Sequence, residues 1–190
     1  MDVRPILLSF QTAIIAILFT FVLGTGVAYI VFRLKNRKLK ILLNSLFTLP
    51  LVLPPTVFGF FLLTIFGVQQ PVGQFLLDFF AIQVVFSWPA TVIAAVAVSF
   101  PLMYRSALTA FEQMDSELLA VAQTLGFSES RYFRKIALPL SMNGLLAGGV
   151  LAFARGLGEF GATTMLAGNI AGKTRTLPLA IYSAVASGDW

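Results

Sequence analysis

Two oppositely charged side chains stand four residues apart in the stretch Phe153-Ala-Arg-Gly-Leu-Gly-Glu-Phe-Gly161. On a helix, Arg155 and Glu159 share a face and can pair. Their surroundings are apolar, which sets them near or within a membrane boundary. Ionisable groups there are costly, usually face the inside of a helix bundle and often mark a pathway. Two readings stand side by side. In one, Arg155, Gly158, Glu159, Phe160, Gly161, Thr163 and Thr164 form part of a pathway or gate. In the other, the pair pins two helices together. Just beyond, Lys173 and Arg175 add positive charge and the threonines add hydroxyl donors.

Other chemistry is scarcely supplied. The sequence has no His and no Cys. That removes the commonest general base and metal ligand, and with them any His-dependent enzyme, Cys-based metal site or disulfide framework. No catalytic residue and no resident metal is expected. The run Ala167-Gly-Asn-Ile-Ala-Gly172-Lys173-Thr174 fits only a loosened phosphate-loop pattern. The strict form opens on Gly, after a strand and before a helix; this run opens on Ala and follows an apolar span.

The elements that must carry these residues are membrane helices. Hydrophobic residues make up 58% of the chain and charged residues 11%, against about 25% charged in soluble domains. Between Leu8 and Phe32 no side chain is charged. A helix of that length reaches ~37 Å, enough to cross a hydrocarbon core of about 30 Å. The run is too long for a signal peptide, and Asp2 and Arg4 leave it without a basic leader. The purely basic stretch Arg33–Lys40 that follows predicts a cytoplasmic loop and an N-terminus outside. A second span is predicted over 41–66, where Pro50, Pro54 and Pro55 either break the helix at a buried or cavity-lining site or bend it for packing. Residues 67–87 lack Lys and Arg and suit the opposite side, with 75–86 at the interface and Trp88 as an aromatic anchor. A third span is predicted over 89–110, interrupted at Pro101, and a fourth over 140–160, with glycines and alanines for close packing. The apolar piece from 177 to 190 is too short to cross and reads as a fifth, incomplete span of a truncated sequence.

Between the third and fourth spans, residues 111–139 hold Glu112, Asp115, Glu117, Glu129, Arg131, Arg134 and Lys135. They read as an amphipathic helix stopped at Gly126, then a second helix capped by Ser128, with Pro139 at the membrane entry. The spacing Ala120-Val-Ala122, Gly126, Ile136-Ala-Leu-Pro139 resembles the coupling loop of bacterial ABC importer permeases. That pattern is Glu-Ala-Ala, three residues, Gly, nine residues, Ile, any residue, Leu-Pro. The second half matches fully; Ala120 stands where the family usually has Glu, and Glu117 lies one turn earlier on the same face. The runs Gly158-Glu-Phe-Gly161, Thr174-Arg-Thr-Leu-Pro-Leu-Ala-Ile-Tyr182, Leu49-Pro-Leu-Val-Leu-Pro-Pro55 and Ser99-Phe-Pro-Leu-Met103 look like the molybdate and tungstate branch, with sulfate and thiosulfate permeases next nearest.

This resemblance implies an all-α, polytopic bundle of the type I ABC importer permease kind, with about five spans. It implies a multi-pass protein of the bacterial cytoplasmic (inner) membrane that moves an oxyanion inward. The implied partners are a second permease copy in a homodimer, cytoplasmic ABC ATPase subunits, an extracytoplasmic oxyanion-binding protein and membrane lipid, with no nucleic acid. The chain itself would bind no cofactor; ATP and magnesium would be used by the ATPase. Glu117, Ala120, Ala122, Gly126, Phe127, Ser128, Arg131 and Phe133 would carry the coupling. A sulfate permease of the same class and a non-transporting membrane scaffold are the alternatives.

Overall fold

The computed structural model describes residues 3–115 and 117–188. The last two residues of the predicted 177–190 segment, and Ser116 in the loop, lie outside the described residues. Helices dominate, and no strand occurs among the described residues.

The first element, α1 (Arg4–Arg33), is one unbroken helix, with Pro5 in its first turn where a missing N–H is tolerated. It is apolar all round, but only one stripe is buried: Thr12, Ala13, Ala16, Thr20, Gly24 and Ala28. The opposite side exposes Leu18, Val22 and Ile30, as suits a lipid-facing surface. The next helix, α2 (Arg37–Val52), starts at Asn36, whose Oδ1 accepts from the Lys38 and Leu39 N–H groups at 3.0 and 3.3 Å. It carries Pro50 and ends before Pro54. Then α3 (Pro55–Phe66) leaves at 114° to it. The prolines thus break the second apolar segment rather than bend it, but Pro54 and Pro55 at the break are exposed, not buried as the breaking reading expected.

A short helix, α4 (Pro71–Phe80), ends at Ala81 in the left-handed conformation. The interfacial stretch expected over 75–86 is therefore helical only in its first half. The long helix α5 (Trp88–Glu112) continues unbroken through Pro101. The expected interruption there does not occur: Pro101 is buried, and such freed carbonyls are tolerated inside a packed bundle.

The chain then forms α6 (Glu117–Thr124), α7 (Glu129–Tyr132), a π-turn over Phe133–Ala137 and the one-turn α8 (Leu138–Leu140). Pro139 sits inside α8 and does not stop the chain. The bend, 72°, falls at Ser141, before α9 (Met142–Leu157). The Gly/Thr-rich stretch that follows is not a plain connection; it forms the buried helix α10 (Gly161–Ala167) before α11 (Leu177–Ser187). By length and composition α1 and α5 can each cross a membrane, and the two bent pairs bring the number to as many as four. The shorter α11 is not among them.

The hub is α5, which packs on α1, α2, α9 and α10. Lipid tails are as apolar as leucine, so membrane helices associate by close packing, not by escape from water. The contacts obey that rule. A Cβ on Gly24 would lie 2.8 Å from Met103 Cγ, and one on Gly148 would lie 2.5 Å from Ser106 Cβ. Thr12 bonds Thr91 across α1 and α5 at 2.9 Å, and Thr20 meets Ser99 at 3.2 Å. Each such bond contributes only about 0.6 kcal/mol in a bilayer, so the missing Cβ atoms matter more. A second seam joins α10 to α3, where a Cβ on Gly59 would come within 2.6 Å of the Ala162 Cα.

Replacing Gly24 by Val is predicted to cost about 1–3 kcal/mol through overpacking. Gly26→Ala, with nothing within 4 Å of the new Cβ, is predicted to be neutral or stabilising by up to about 1 kcal/mol. Thermal midpoints in detergent, read by size-exclusion chromatography, check the contrast. Equal midpoints for both variants would contradict the packing described.

Candidate functional site

The loop between α5 and α9 has two unlike faces. Its inner face joins the bundle: Ala122, Tyr132 and Ala137 are buried in one cluster with Val31, Tyr104 and Phe111. The Phe133 ring lies 4.5 Å from that of Tyr29, and Tyr29 meets Phe111 edge-on at 5.5 Å. These rings tie the loop to the ends of α1 and α5. Burial pushes the Tyr132 phenol above its ordinary value, against the pull of Arg33. Two ion pairs add to the seam: Arg33 with Glu129 at 2.6 Å and Lys40 with Glu112 at 2.7 Å. The basic stretch after α1 and the polar loop therefore occupy the same end of the bundle. Both pairs are partly exposed, so each contributes little; the rings hold the loop.

Its outer face is open. Glu117, Ala120, Gly126, Ser128 and Arg131 are exposed, as are Val121 at 53% and Leu125 at 70%. Gly126 adopts φ +75°, and the Phe127 N–H donates to the Ala122 carbonyl at 2.9 Å, closing α6 with a left-handed glycine cap. Ser128 Oγ accepts from the Arg131 N–H at 3.4 Å, and the Arg131 guanidinium stacks over Phe127 at 5.6 Å. Glu117 opens α6, its N–H donating to Asp115 Oδ1 at 2.9 Å. The sequence reading gave no weight to Val121 and Leu125. Their signal was present: two large apolar residues on the solvent side of an amphipathic helix, against the glycine stop.

The second constellation lies at the far end of α9, which spans ~24 Å from the loop at 1.5 Å per residue. There the helix ends at Leu157, Gly158 caps it, and Glu159 occupies the break before α10. Glu159 is 3% exposed. Its Oε2 accepts from Arg155 Nη1 at 2.7 Å and its Oε1 from the Ala162 N–H at 2.6 Å. One carboxylate thus neutralises an arginine and satisfies a free donor at the start of α10. Gly161 fits against Pro55, Thr163 is buried, the Thr164 hydroxyl donates to the Phe160 carbonyl, and the Phe160 ring lies 5.0 Å from Tyr182. The predicted pathway residues are brought together, but around a break packed on α3 and α11. Neither Arg155 nor Glu159 lines the apolar groove of about 700 Å³ between α9 and α11.

Comparison with known proteins places this architecture. Residues 20–186 match the family described as binding-protein-dependent transport system inner membrane component. The chain belongs to that family. It is 46% identical over 97% of its length to the putative molybdenum transport system permease protein YvgM of Bacillus subtilis (strain 168), covering 81% of that protein. It is 44% identical over 96% of its length to the molybdenum transport system permease protein ModB of Escherichia coli (strain K12), covering 79%. The ModB protein of Haemophilus influenzae matches at 44% over 96% of the chain and 80% of the relative. As a member of this inner membrane family, the chain is a multi-pass transport component. No group of metal-ligating side chains occurs among its described residues.

In this permease-family chain, Arg155→Ala strands a buried carboxylate and is predicted to cost about 3–5 kcal/mol. Glu159→Gln keeps an acceptor for the Ala162 N–H and is predicted to cost about 1–2 kcal/mol. The double variant should recover much of the loss of Arg155→Ala alone. Thermal midpoints in detergent decide it; an Arg155→Ala variant as stable as Glu159→Gln would refute the assignment.

Proposed function

We propose that this chain is the membrane-spanning permease subunit of an ATP-driven importer that carries molybdate, or tungstate, into the cell. The observation that carries the reading is the identity, above 40% over nearly the whole chain, to relatives named as molybdenum transport permeases. The loop spacing from Ala122 through Gly126 to Pro139 supports the coupled part of the reading.

In this reading the importer pairs two copies of the permease with cytoplasmic ATPase subunits, and an extracytoplasmic binding protein delivers the oxyanion. ATP and magnesium are used by the ATPase; this chain holds neither. The purely basic stretch Arg33–Lys40 argues for the loop end of the bundle in the cytoplasm and the N-terminus outside. The exposed face of Ala120, Val121, Leu125 and Gly126 then seats in a groove of the ATPase. An apolar helical face flanked by charge is a common way for a helix to enter a groove. When the ATPase closes, the push on α6 passes through Tyr132, Phe133 and Phe111 into α1 and α5. Along α9 it reaches the break at Gly158, where Arg155, Glu159, Phe160, Gly161, Thr163 and Thr164 form the gate element. Glu159 acts there as the partner of Arg155, since a bare carboxylate would repel a dianion.

Uptake of labelled molybdate into proteoliposomes of the assembled transporter tests this, with unlabelled tungstate and sulfate as competitors. Tungstate is expected to compete well and sulfate poorly; preferential competition by sulfate would overturn the substrate. In the same assay Gly126→Val, strained at φ +75° by about 1–2 kcal/mol, is predicted to lower uptake tenfold or more while ATPase activity and membrane insertion persist. Normal uptake by that variant would refute the coupling role.

A further inference from the structure

The groove between α5 and α9 contains a cation used by neither constellation. Arg105 lies about two turns before the end of α5 and is exposed. The carboxylates that form ion pairs among the described residues are taken by Arg33, Lys40 and Arg155. Arg105 has no ion-pair partner among those residues. It lines a groove of about 440 Å³ with Ser106 and Thr109 of α5, Gln113 just past its end, and Gly144 and Ala147 of α9, and no acidic side chain lines it.

The spacing of 105, 109 and 113 puts the guanidinium, a hydroxyl and an amide on one helix face. The α9 side offers only small residues, so nothing fills the space. The groove's width is fixed by the packing beside it, where a Cβ on Gly144 would lie 2.6 Å from Ala110 Cβ. Polar and ionisable groups on a span usually face the bundle interior or a water-filled passage rather than acyl chains, and an Arg near a helix end can also reach the interface.

We propose that this groove is an oxyanion site on the inner half of the transport route, taking a tetrahedral inorganic dianion of the molybdate kind as it leaves for the cytoplasm. The inference rests on the proposed function above. Arg105 offers two parallel N–H donors to two oxygens of the anion. Ser106, Thr109 and Gln113 donate to the others. One full positive charge facing a dianion, in a site open to water, gives weak retention. A transit site needs that: binding must favour entry and still permit release. The contrast with Arg155 is chemical. Arg155 is already neutralised by Glu159 at 2.7 Å, whereas Arg105 keeps its charge for a ligand.

The test uses the complete transporter in proteoliposomes, with the parent chain, Arg105→Gln, Arg105→Lys and the shape-conserving Thr109→Val. Labelled molybdate uptake and binding-protein-stimulated ATPase activity are read together. Arg105→Gln is expected to lower uptake at least fivefold and Thr109→Val at least twofold. Arg105→Lys should retain at least a third of parent uptake, and ATPase stimulation should stay within twofold throughout. Uptake by Arg105→Gln within fivefold of the parent would overturn the site, as would a parallel fall in ATPase activity, which marks a structural role. If Arg105→Gln fails to assemble, Thr109→Val decides by its own threshold. A phospholipid held by the parent and lost from Arg105→Gln with uptake unchanged, seen by native mass spectrometry, would give the groove to a lipid headgroup and overturn the proposal. A parent that imports no oxyanion would instead sink the proposed function itself.

Discussion

Close approach of α5 to α1 and α9 is the constraint on which the rest of this structure depends. Within a bilayer, helices gain nothing by hiding leucine from lipid. They gain by dispersion between surfaces that touch, and such attraction falls steeply with a gap of even half an ångström. Gly24, Gly144 and Gly148 permit that contact because α5 fills the space their side chains would take. The large apolar residues of α1 meanwhile point outward, where they cost nothing against lipid. Small residues therefore do the work that leucine and phenylalanine do in a soluble core.

The loop inherits its rigidity from this seam. Its own helices are too short to be stable alone, since isolated helices under about 12 residues are marginal. Tyr132 and Phe133 hold them by packing on rings that α1 and α5 have already fixed in place. Charge is arranged in the same spirit. At the loop end, partly exposed ion pairs align surfaces without adding much energy. At the far end of α9, a buried carboxylate answers both an arginine and a helix start, so the break in the chain leaves neither uncompensated. One helix, α9, thus separates the exposed loop from the buried carboxylate at the break before α10.

Much of this was legible in the sequence because it depends on local pattern. The uncharged run from Leu8 to Phe32 read directly as a helix, and the basic cluster after it marked its end. The i,i+4 spacing of Arg155 and Glu159 anticipated their contact, and Gly126 with Ser128 anticipated the turn. What was not legible depends on partners distant in sequence. Nothing local shows that Gly161 to Ala167 is a helix; it is one because Gly59 and Pro55 of α3 accept it at close range. Pro101 looked like an interruption because its lost hydrogen bond is visible in sequence, while the packing that compensates for it is not. Pro139 looked like a stop for the same reason, and the chain instead passes through a π-turn and bends at Ser141. The second role of Glu159, at the start of α10, required knowing that α10 exists.

The packing of Phe133 on Tyr29 of α1 at 4.5 Å predicts that the loop moves with α1 as one body. The absence of native cysteine makes it directly measurable. Spin labels on Ile14→Cys in α1 and Ser130→Cys in the loop, in transporters holding one labelled copy, report the distance between them by pulsed electron resonance. With and without ATP, that distance is predicted to stay constant to within about 2 Å, the rotamer freedom of the labels aside, because a packed seam does not deform continuously. A nucleotide-dependent change of several ångströms within the protomer would show the loop swinging free of the bundle, and the rigid lever would be contradicted.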